Sequence, residues 1–258
     1  MPTPLEILLD PVSIGVLLLY ALMMLWEALA PARQLPVIKG WRVRAMASFV
    51  VYFFLSSYLP LLWDGVLVQY QLFDLSSLGS IPGALVGLLV YNALLYAWHR
   101  SMHASNVLWR LFHQGHHSAE RLDTFGAFYF SPMDMIGFTF VGSLALALVV
   151  GISPQAITVF LFAAMFLGIF QHANVRTPRW LGFFVQRPES HSVHHERGVH
   201  RYNYADLPMF DIVFGTFRNP PRYAAQAGFY DGASKRIGEM LVFRDVSSPK
   251  ANANEVTA

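Results

Sequence analysis

The chain has 258 residues, of which 55% are hydrophobic and only 13% are charged, which excludes an ordinary soluble domain and a protein with a single membrane anchor. The formal charge of +2 is too small to indicate nucleic-acid binding, and a chain with no cysteine cannot form disulfides, iron–sulfur clusters or thiolate zinc sites. Several apolar runs approach or reach the about 20 residues that cross a bilayer. The sequence therefore predicts an all-α, polytopic integral membrane protein.

Five apolar runs predict the membrane helices, at residues 12–30, 45–63, 81–98, 136–150 and 154–170. No basic segment precedes the first run, so we interpret it as a retained helix and not as a cleaved signal peptide. The last two runs are short and are joined by a Gly-Ile-Ser turn, so they could be two spans, a re-entrant hairpin or buried helices. We expect a hairpin that enters and leaves on one side, and therefore four or five transmembrane helices. Gly137, Gly142 and Gly168 would allow close contacts between helices, or could have no special role, since glycine is common in membrane helices.

The distribution of the 18 Lys and Arg residues indicates the orientation. Four lie within residues 33–44, three within 100–121 and eleven within 176–250. If these windows alternate with the predicted spans, all three fall on the same side of the membrane, which the positive-inside rule identifies as the cytoplasm. We therefore expect an inner-membrane or plasma-membrane protein whose N-terminus and residues 64–80 face outward.

The same patterns predict three units along the chain. Residues 1–80 would form the N-terminal membrane helices and the outward loop, and residues 81–220 would form a histidine-containing domain. Residues 221–258 would form a cytosolic C-terminal segment, whose polar tail from Ser247 onward is typical of a disordered segment.

All ten histidines fall into a few clusters on the predicted cytosolic side. In chain order they are His99 and His103; His113, His116 and His117; the single His172; and His191, His194 and His195, with His200 close behind. Because residues three and four apart share a helix face, each cluster can present two or three imidazoles together. Neutral imidazole is the commonest metal ligand. The pattern therefore predicts a histidine-lined helical cap that binds metal.

The number of histidines indicates two metals. Nine candidate ligands, or ten with His200, exceed the four of a tetrahedral site and the six of an octahedral one. Two ions with four or five imidazoles each fit the count. Nitrogen donors favour iron, zinc or copper over magnesium or calcium, and ligand type alone does not separate iron from zinc. A pH-sensing cluster is the alternative interpretation, although packed imidazoles are costly to protonate.

The ordered motifs also resemble those of a known family. His99-Arg-Ser-Met-His103, His113-Gln-Gly-His116-His117, the lone His172, and His191-Ser-Val-His194-His195 are followed by Asn203-Tyr204 and Phe214-Gly215-Thr216. Over about residues 85–220 this order resembles the fatty acid hydroxylase superfamily, also called the sterol desaturase family. The resemblance implies a membrane di-iron enzyme with a helical stem and a cytosolic histidine-lined cap. It also implies that the enzyme uses dioxygen and two electrons to attack lipid C–H bonds.

The resemblance also implies which residues bind the metals. His99, His103, His113, His116, His117, His172, His191, His194 and His195 match the family's ligand positions. Some members have a further histidine four residues after the one that matches His172, where this chain has Arg176. His200 could replace that ligand or could hydrogen-bond to the ligands.

Several other residues are weaker candidates for a role in the site. Asn174 and Asn203 could hydrogen-bond to ligand imidazoles, or could simply form turns. Asp134, Asp206 and Asp211 could orient imidazole N–H groups. The alternative for all three is helix capping or ion pairing with a nearby arginine, and for Asp134 that alternative is favoured. Trp109, near a predicted span end, is explained by anchoring at the membrane interface.

We therefore expect an oxygen-dependent oxidoreductase that holds two iron ions, with zinc as a substitute, and that hydroxylates or desaturates a membrane lipid. No flavin or haem motif is evident, so a separate electron-donor protein is implied. The first alternative is a zinc-dependent membrane hydrolase, but the sequence has no HExxH motif. The second is a non-catalytic metal-binding or transport protein, which would place histidines along the spans. The residues do not identify the lipid, nor do they separate hydroxylation from desaturation.

Overall fold

The computed structural model describes residues 1–249, whose regular structure is helical apart from one isolated antiparallel bridge between Glu196 and Ala227. The helices are α1 (Pro4–Leu9), α2 (Pro11–Leu29), α3 (Trp41–Tyr58), α4 (Pro60–Leu67), α5 (Ser80–Ala104), α6 (Asn106–Leu108), α7 (Gln114–His117), α8 (Pro132–Ser143), α9 (Pro154–Phe170), α10 (Pro188–His194), α11 (Met209–Val213) and α12 (Ile237–Leu241). A π-helical segment, Trp109–His113, joins α6 to α7, and a second, Leu144–Val150, continues α8. The predicted disordered tail falls mostly on residues 250–258, outside the described residues.

Local sequence signals fix where the long helices begin. Proline is the first residue of α2, α8 and α9, where its missing N–H and fixed φ cost nothing. The residue before each proline caps the helix: Asp10, Ser131 and Ser153 each accept a hydrogen bond from a backbone N–H of the first turn. These three caps were readable in the sequence.

Four helical stretches are long and apolar enough to cross a membrane: Pro11–Leu29, Trp41–Tyr70, Ser80–Ala104 and Pro132–Val150. On α2 the exposed side chains include Leu18, Leu22, Leu25 and Leu29, whereas Tyr20 and Glu27 are buried. An apolar outer face around a more polar interior is the pattern expected of a helix that faces lipid. The prediction of an all-α membrane protein with about four spans is confirmed.

The fourth and fifth apolar runs extend through the full depth of the bundle. The backbone N–H groups of Leu72 and Phe73 donate to the carbonyls of Leu148 and Val149, at 2.7 and 3.0 Å. Residues 72–73 precede the start of α5, and the histidines lie at the other end of that helix. The turn between α8 and α9 therefore lies at the end of the bundle opposite the histidines, and the hairpin reaches it because α8 continues as π-helix to Val150.

The three glycines singled out in the sequence have different surroundings. A Cβ on Gly137 would lie 3.0 Å from the Trp98 ring, so this glycine does allow a close helix contact. A Cβ on Gly142 or Gly168 would meet nothing within 4 Å. The prediction of close packing is wrong for these two, which line an internal cavity instead.

The three basic windows meet at one end of the molecule. Arg33 donates to the carbonyl of Ala224 at 2.6 Å, and Arg121 donates to the carbonyl of Pro36 at 3.0 Å. Ala32 donates its N–H to the carbonyl of Asn174 at 2.8 Å, which places the end of α2 beside the residues that follow α9. The Lys and Arg residues therefore surround the same end of the bundle as the histidines.

Candidate metal centre

The ends of four helices bring the histidines together. His99 and His103 lie in the last two turns of α5, which continues beyond its apolar run. His116 and His117 end α7, and His113 precedes them at the end of the π-helical segment. His172 follows the end of α9, while His191, His194 and His195 lie at and just after the C-terminal half of α10.

The nine predicted ligands form two groups, and within each group one nitrogen of every imidazole lies within 4.8 Å of the others. The first group has five members: His99, His103, His113, His117 and His194. The second has four: His116, His172, His191 and His195. Each group could hold one metal ion.

Each His-x-x-His-His motif contributes to both groups, which corrects the expectation that each motif presents one shared face. His113 and His117 belong to the first group and His116 to the second, whereas His191 and His195 belong to the second group and His194 to the first. The reason is helical geometry. The first and last histidines of the motif are four residues apart and are offset by only about 40° around the helix axis. The last two histidines are adjacent and are offset by about 100°. One motif therefore contributes donors to both groups.

Backbone carbonyls orient three imidazoles of the first group. The Nδ1 atoms of His103, His194 and His99 lie 2.8, 2.7 and 2.7 Å from the carbonyl oxygens of His200, Tyr202 and Tyr204. Because a carbonyl only accepts, each Nδ1 must carry the hydrogen, and each Nε2 is left with its lone pair. Alternate residues of one short segment thus fix the tautomer of three rings.

That segment, residues 200–204, which we call the carbonyl segment, has an unusual backbone. His200, Tyr202 and Asn203 all have positive φ, at 41°, 74° and 52°, a conformation that non-glycine residues rarely adopt without compensation. Asp211 stabilises this backbone conformation, because its carboxylate accepts hydrogen bonds from the N–H groups of Tyr204 and Ala205. Sequence reasoning missed these carbonyls because a backbone acceptor leaves no residue-type signal.

Asp134 contacts a histidine directly. Its carboxylate oxygen lies 3.2 Å from Nδ1 of His113, and both side chains are buried. The sequence interpretation favoured capping or ion pairing with arginine for this residue, and that interpretation is wrong. A carboxylate behind a ligand imidazole fixes the ring and increases its basicity.

In the second group, Nδ1 of His172 lies 2.7 Å from the carbonyl of Gly168, one helical turn earlier. The Nε2 atom of His172 therefore carries the lone pair, and it lies 3.0 Å from Nε2 of His116 and 3.1 Å from Nε2 of His191. The Nδ1 atoms of His191 and His195 are buried without a hydrogen-bond partner among residues 1–249.

Burial keeps these imidazoles neutral. It lowers the pKa of His172 to about 4, and it holds the pKa values of His113, His117 and His194 well below the ordinary value for histidine. Neighbouring imidazoles lower the pKa values of the last three further, because each positive charge would disfavour the next. Neutral imidazole is the form that binds metal.

The nitrogen geometry fits a bound cation. The Nε2 atoms of His99 and His113 lie 2.8 Å apart, and the Nδ1 atom of each ring faces an oxygen acceptor. Two lone pairs this close repel each other unless a cation lies between them. Metal–nitrogen bonds of about 2.0–2.1 Å place two ligands about 2.8–3.4 Å apart at right-angled or tetrahedral positions.

His200 lies outside both groups. Its Nδ1 is 3.0 Å from Nδ1 of His117, and its carbonyl accepts from His103, so it borders the first group. Arg176 is exposed and reaches the carbonyl of Ala32. The structure therefore places His200 beside the first group, as a hydrogen-bond partner of its histidines and a member of neither group.

The remaining candidates act at a distance from the imidazoles. Asn174 donates to the carbonyl of Arg33 at 2.7 Å, which secures the end of α2. Asn203 donates to the carbonyl of Ser190 at 2.7 Å and so ties the carbonyl segment to α10. Asp206 accepts from Gln171, and Asp211 binds backbone, so neither carboxylate is among the hydrogen-bond partners of the imidazoles in residues 1–249.

Trp109 lies beside the histidines, a contact that the interpretation as an interfacial anchor did not predict. Its ring centroid is 5.0 Å from that of His103 and 5.0 Å from that of His117. The indole therefore covers the outer side of the first group.

A cavity of about 770 Å³ runs from the histidines into the helix bundle. His99, His113, His116, His172 and His191, drawn from both groups, line one end. Asp10 and Gln71 line the opposite end, and the walls between include Phe138 and Phe160. Both candidate metal positions therefore open on one largely apolar space.

Comparison with known proteins identifies the family. Residues 84–216 match the Fatty acid hydroxylase family. No solved structure gives a significant match.

Curated relatives match over a similar part of the chain. The very-long-chain aldehyde decarbonylase GL1-9 of Oryza sativa subsp. japonica is 30% identical over 136 residues, which are 51% of this chain and 53% of that protein. The ornithine lipid hydroxylase OlsE of Rhizobium tropici is 33% identical over 142 residues, or 53% and 42% of the two chains. Sphinganine C4-monooxygenase 2 of Arabidopsis thaliana is 26% identical over 137 residues, or 52% and 53%. The match thus spans about half the length of these relatives.

The family match covers every histidine of the two groups, the carbonyl segment, and Asp211, which holds that segment in place. Because this match covers about half of the chain, the chain belongs to the fatty acid hydroxylase family.

Proposed function

We propose that the chain is an oxygen-dependent di-iron enzyme that hydroxylates a C–H bond of a membrane lipid. The observation that carries this proposal is the position of two groups of neutral imidazoles at one end of an apolar cavity within a membrane-type helix bundle. A largely apolar cavity of this kind suits the hydrocarbon chain of a lipid.

The five-histidine group would hold one iron and the four-histidine group the other. Iron in these positions would supply the activation of dioxygen. The reaction balances as R–H plus O₂ plus two electrons plus two protons, giving R–OH plus water. Nitrogen donors also accept zinc, which we regard as a substitute without redox chemistry.

The residues of the chain position and protect the reactants. The carbonyl segment and Asp134 hold the Nε2 lone pairs of the first group inward, so the ligands need little reorganisation when metal binds. The aromatic walls of the cavity hold the lipid chain and exclude water from the oxidation site. The family relatives named for hydroxylation of sphinganine and of an ornithine lipid support lipid hydroxylation over desaturation.

We also propose that the histidine end of the bundle faces the cytoplasm. The clustering of the basic windows at that end supports this orientation. The two electrons would then come from a separate donor protein that docks from the cytoplasm.

Metal analysis and isotope labelling test the proposal on the full chain, produced with iron supplied. We expect about two irons per chain, one for each group, and oxygen consumption that requires reductant. Lipid extracts from cells with and without the gene, grown under ¹⁸O₂, should differ by a product that carries one labelled oxygen. A product that lacks two hydrogens and carries no label would indicate desaturation. Stoichiometric zinc with lipid hydrolysis and no need for oxygen would overturn the proposal.

A further inference from the structure

Asp206 is a buried carboxyl group that the metal centre does not use. Its side chain is only 5% exposed, and it lines the cavity together with the histidines. One carboxylate oxygen accepts a hydrogen bond from the side-chain amide of Gln171 at 2.8 Å. No cationic side chain pairs with it within residues 1–249.

The connections of Asp206 place it at the reactive end of the cavity. Gln171 directly precedes His172 of the second group, and Tyr204, two residues before Asp206, gives its carbonyl to His99 of the first group. A ligand atom that reaches Asp206 is therefore close to both groups.

Two phenol hydroxyls share this region. Tyr52 and Tyr91 line the same cavity as Asp206. Tyr52 stacks on Phe128 with ring centroids 4.8 Å apart, and Tyr91 packs edge-on against Phe160 at 5.3 Å. Packing fixes both rings, so the cavity wall offers polar groups at fixed positions in addition to Asp206.

A carboxyl group in such a place is costly unless it binds something. Burial raises the pKa of Asp206 to about 7, because the ionised carboxylate loses its hydration there. The Gln171 amide occupies one oxygen, and the second is free to accept a hydrogen bond from a ligand. An apolar side chain would serve a plain hydrocarbon chain better.

We propose that Asp206 is a specificity-determining residue that accepts a hydrogen bond from a hydroxyl or N–H group of the lipid. This inference rests on the proposed function and narrows its substrate class. The substrate is a lipid with a hydrogen-bond donor close to the carbon that is oxidised, and the contact with Asp206 holds that carbon beside the histidines. A lipid without a hydrogen-bond donor would lack this contact. A lipid that presents an anionic carboxylate would be repelled by the negative charge of Asp206.

Two matched amphiphiles test the inference by binding alone. Hexadecan-1-ol has a donor hydroxyl, whereas its methyl ether has the same oxygen without the hydrogen. Binding of each to the iron-loaded full chain is measured without oxygen, by displacement of a fluorescent lipid. The wild type should bind the alcohol about tenfold more tightly, the value expected for one hydrogen bond to a charged group.

Variants of Asp206 test whether the side chain itself, and not a change in the fold, determines the preference for the alcohol. Asp206→Leu should bind both probes equally, while Asp206→Asn, which keeps an acceptor oxygen and the shape, should keep part of the preference. Both should keep the iron content of the wild type, because Asp206 is in neither histidine group. Asp231→Asn, at a carboxylate that is 94% exposed, is the matched control and should keep the full preference.

Equal binding of the two probes by the wild type would overturn the inference, as would a preference that persists in Asp206→Leu. Because the measurement needs no turnover, it is independent of the labelling experiment above. A preference for the alcohol that depends on Asp206, combined with no incorporation of labelled oxygen into any lipid, would contradict the proposed reaction and leave the binding site in place.

Discussion

Each imidazole of the two groups has a second ring nitrogen that points away from the group. The hydrogen-bond partner of that nitrogen determines how firmly the inward-facing nitrogen is held in place. Asp134 is the carboxylate partner in the first group, at 3.2 Å from Nδ1 of His113. Asp134→Asn keeps the size of the side chain and an acceptor oxygen but removes the charge. We expect the first group to bind metal about tenfold more weakly, within the range typical of such partners. Competition with a chelator measures this affinity, and Asp245→Asn, at an exposed position, is the control. Unchanged affinity would show that the contact with His113 does not support the metal.

Two alanine substitutions test the division of the histidines. His194→Ala removes a ligand of the first group and His116→Ala a ligand of the second, so each variant should retain about one metal per chain. Both should lose lipid oxidation, because the reaction needs the pair. His200→Ala removes the hydrogen-bond partner of His117 but no member of either group, so it should retain both metals and bind the first one more weakly. Loss of both metals from each single variant would instead indicate one shared site.

At the residue scale, the sequence was informative about side chains and silent about backbone. The histidine spacing predicted which nine imidazoles would come together, since imidazoles three and four residues apart project from neighbouring parts of a helix. The angle between adjacent helix positions already divides each motif, and the sequence interpretation overlooked this. Which group each histidine joins depends on how α7 and α10 face each other, and the sequence does not show that. The carbonyls of His200, Tyr202 and Tyr204 left no signal, since every residue has a carbonyl.

At the scale of helices, the apolar runs predicted where the long elements lie. The third run ends at Trp98, but α5 continues to Ala104 and carries His99 and His103 on its last turns. The fourth run predicted the end at Val150 correctly but not that residues 144–150 are π-helical, because π-helical and α-helical hydrogen bonding have no distinct residue pattern. The depth of the α8–α9 hairpin follows from its contacts with residues 72–73.

Gly142 on α8 offers a test of the cavity between these helices. A Cβ at this position meets nothing within 4 Å, and the residue lines the cavity. Gly142→Leu should therefore fill space that the lipid occupies, lowering lipid oxidation at least about tenfold with both metals retained. Gly65→Leu on α4 is the control, since its Cβ also meets nothing within 4 Å and Gly65 is not among the residues that line the cavity. Full activity in Gly142→Leu would show that the substrate takes another path.

For the molecule as a whole, the metals would join elements that are distant in sequence. The histidines come from α5, α7, the end of α9, and α10, and nearly all of them are buried. A ligand that binds only the folded state stabilises it, so chelation should lower the melting temperature by several degrees or more. Melting curves in detergent with and without chelator measure the difference. The double variant His116→Ala/His194→Ala should show a much smaller response, and an equal response would mean that the chelator acts elsewhere.

The orientation of the whole molecule can be tested directly because the chain has no cysteine. Ser77 lies in the exposed segment at the end of the bundle opposite the histidines, and Ala225 lies in an exposed segment at the histidine end, next to the carbonyl that Arg33 binds. If the basic windows face the cytoplasm, a membrane-impermeant maleimide should label Ser77→Cys in intact cells. It should label Ala225→Cys only after the membrane is opened, because the reagent then reaches the cytoplasmic side. Labelling in the reverse order would place the histidine centre outside the cell and would exclude a cytosolic electron donor.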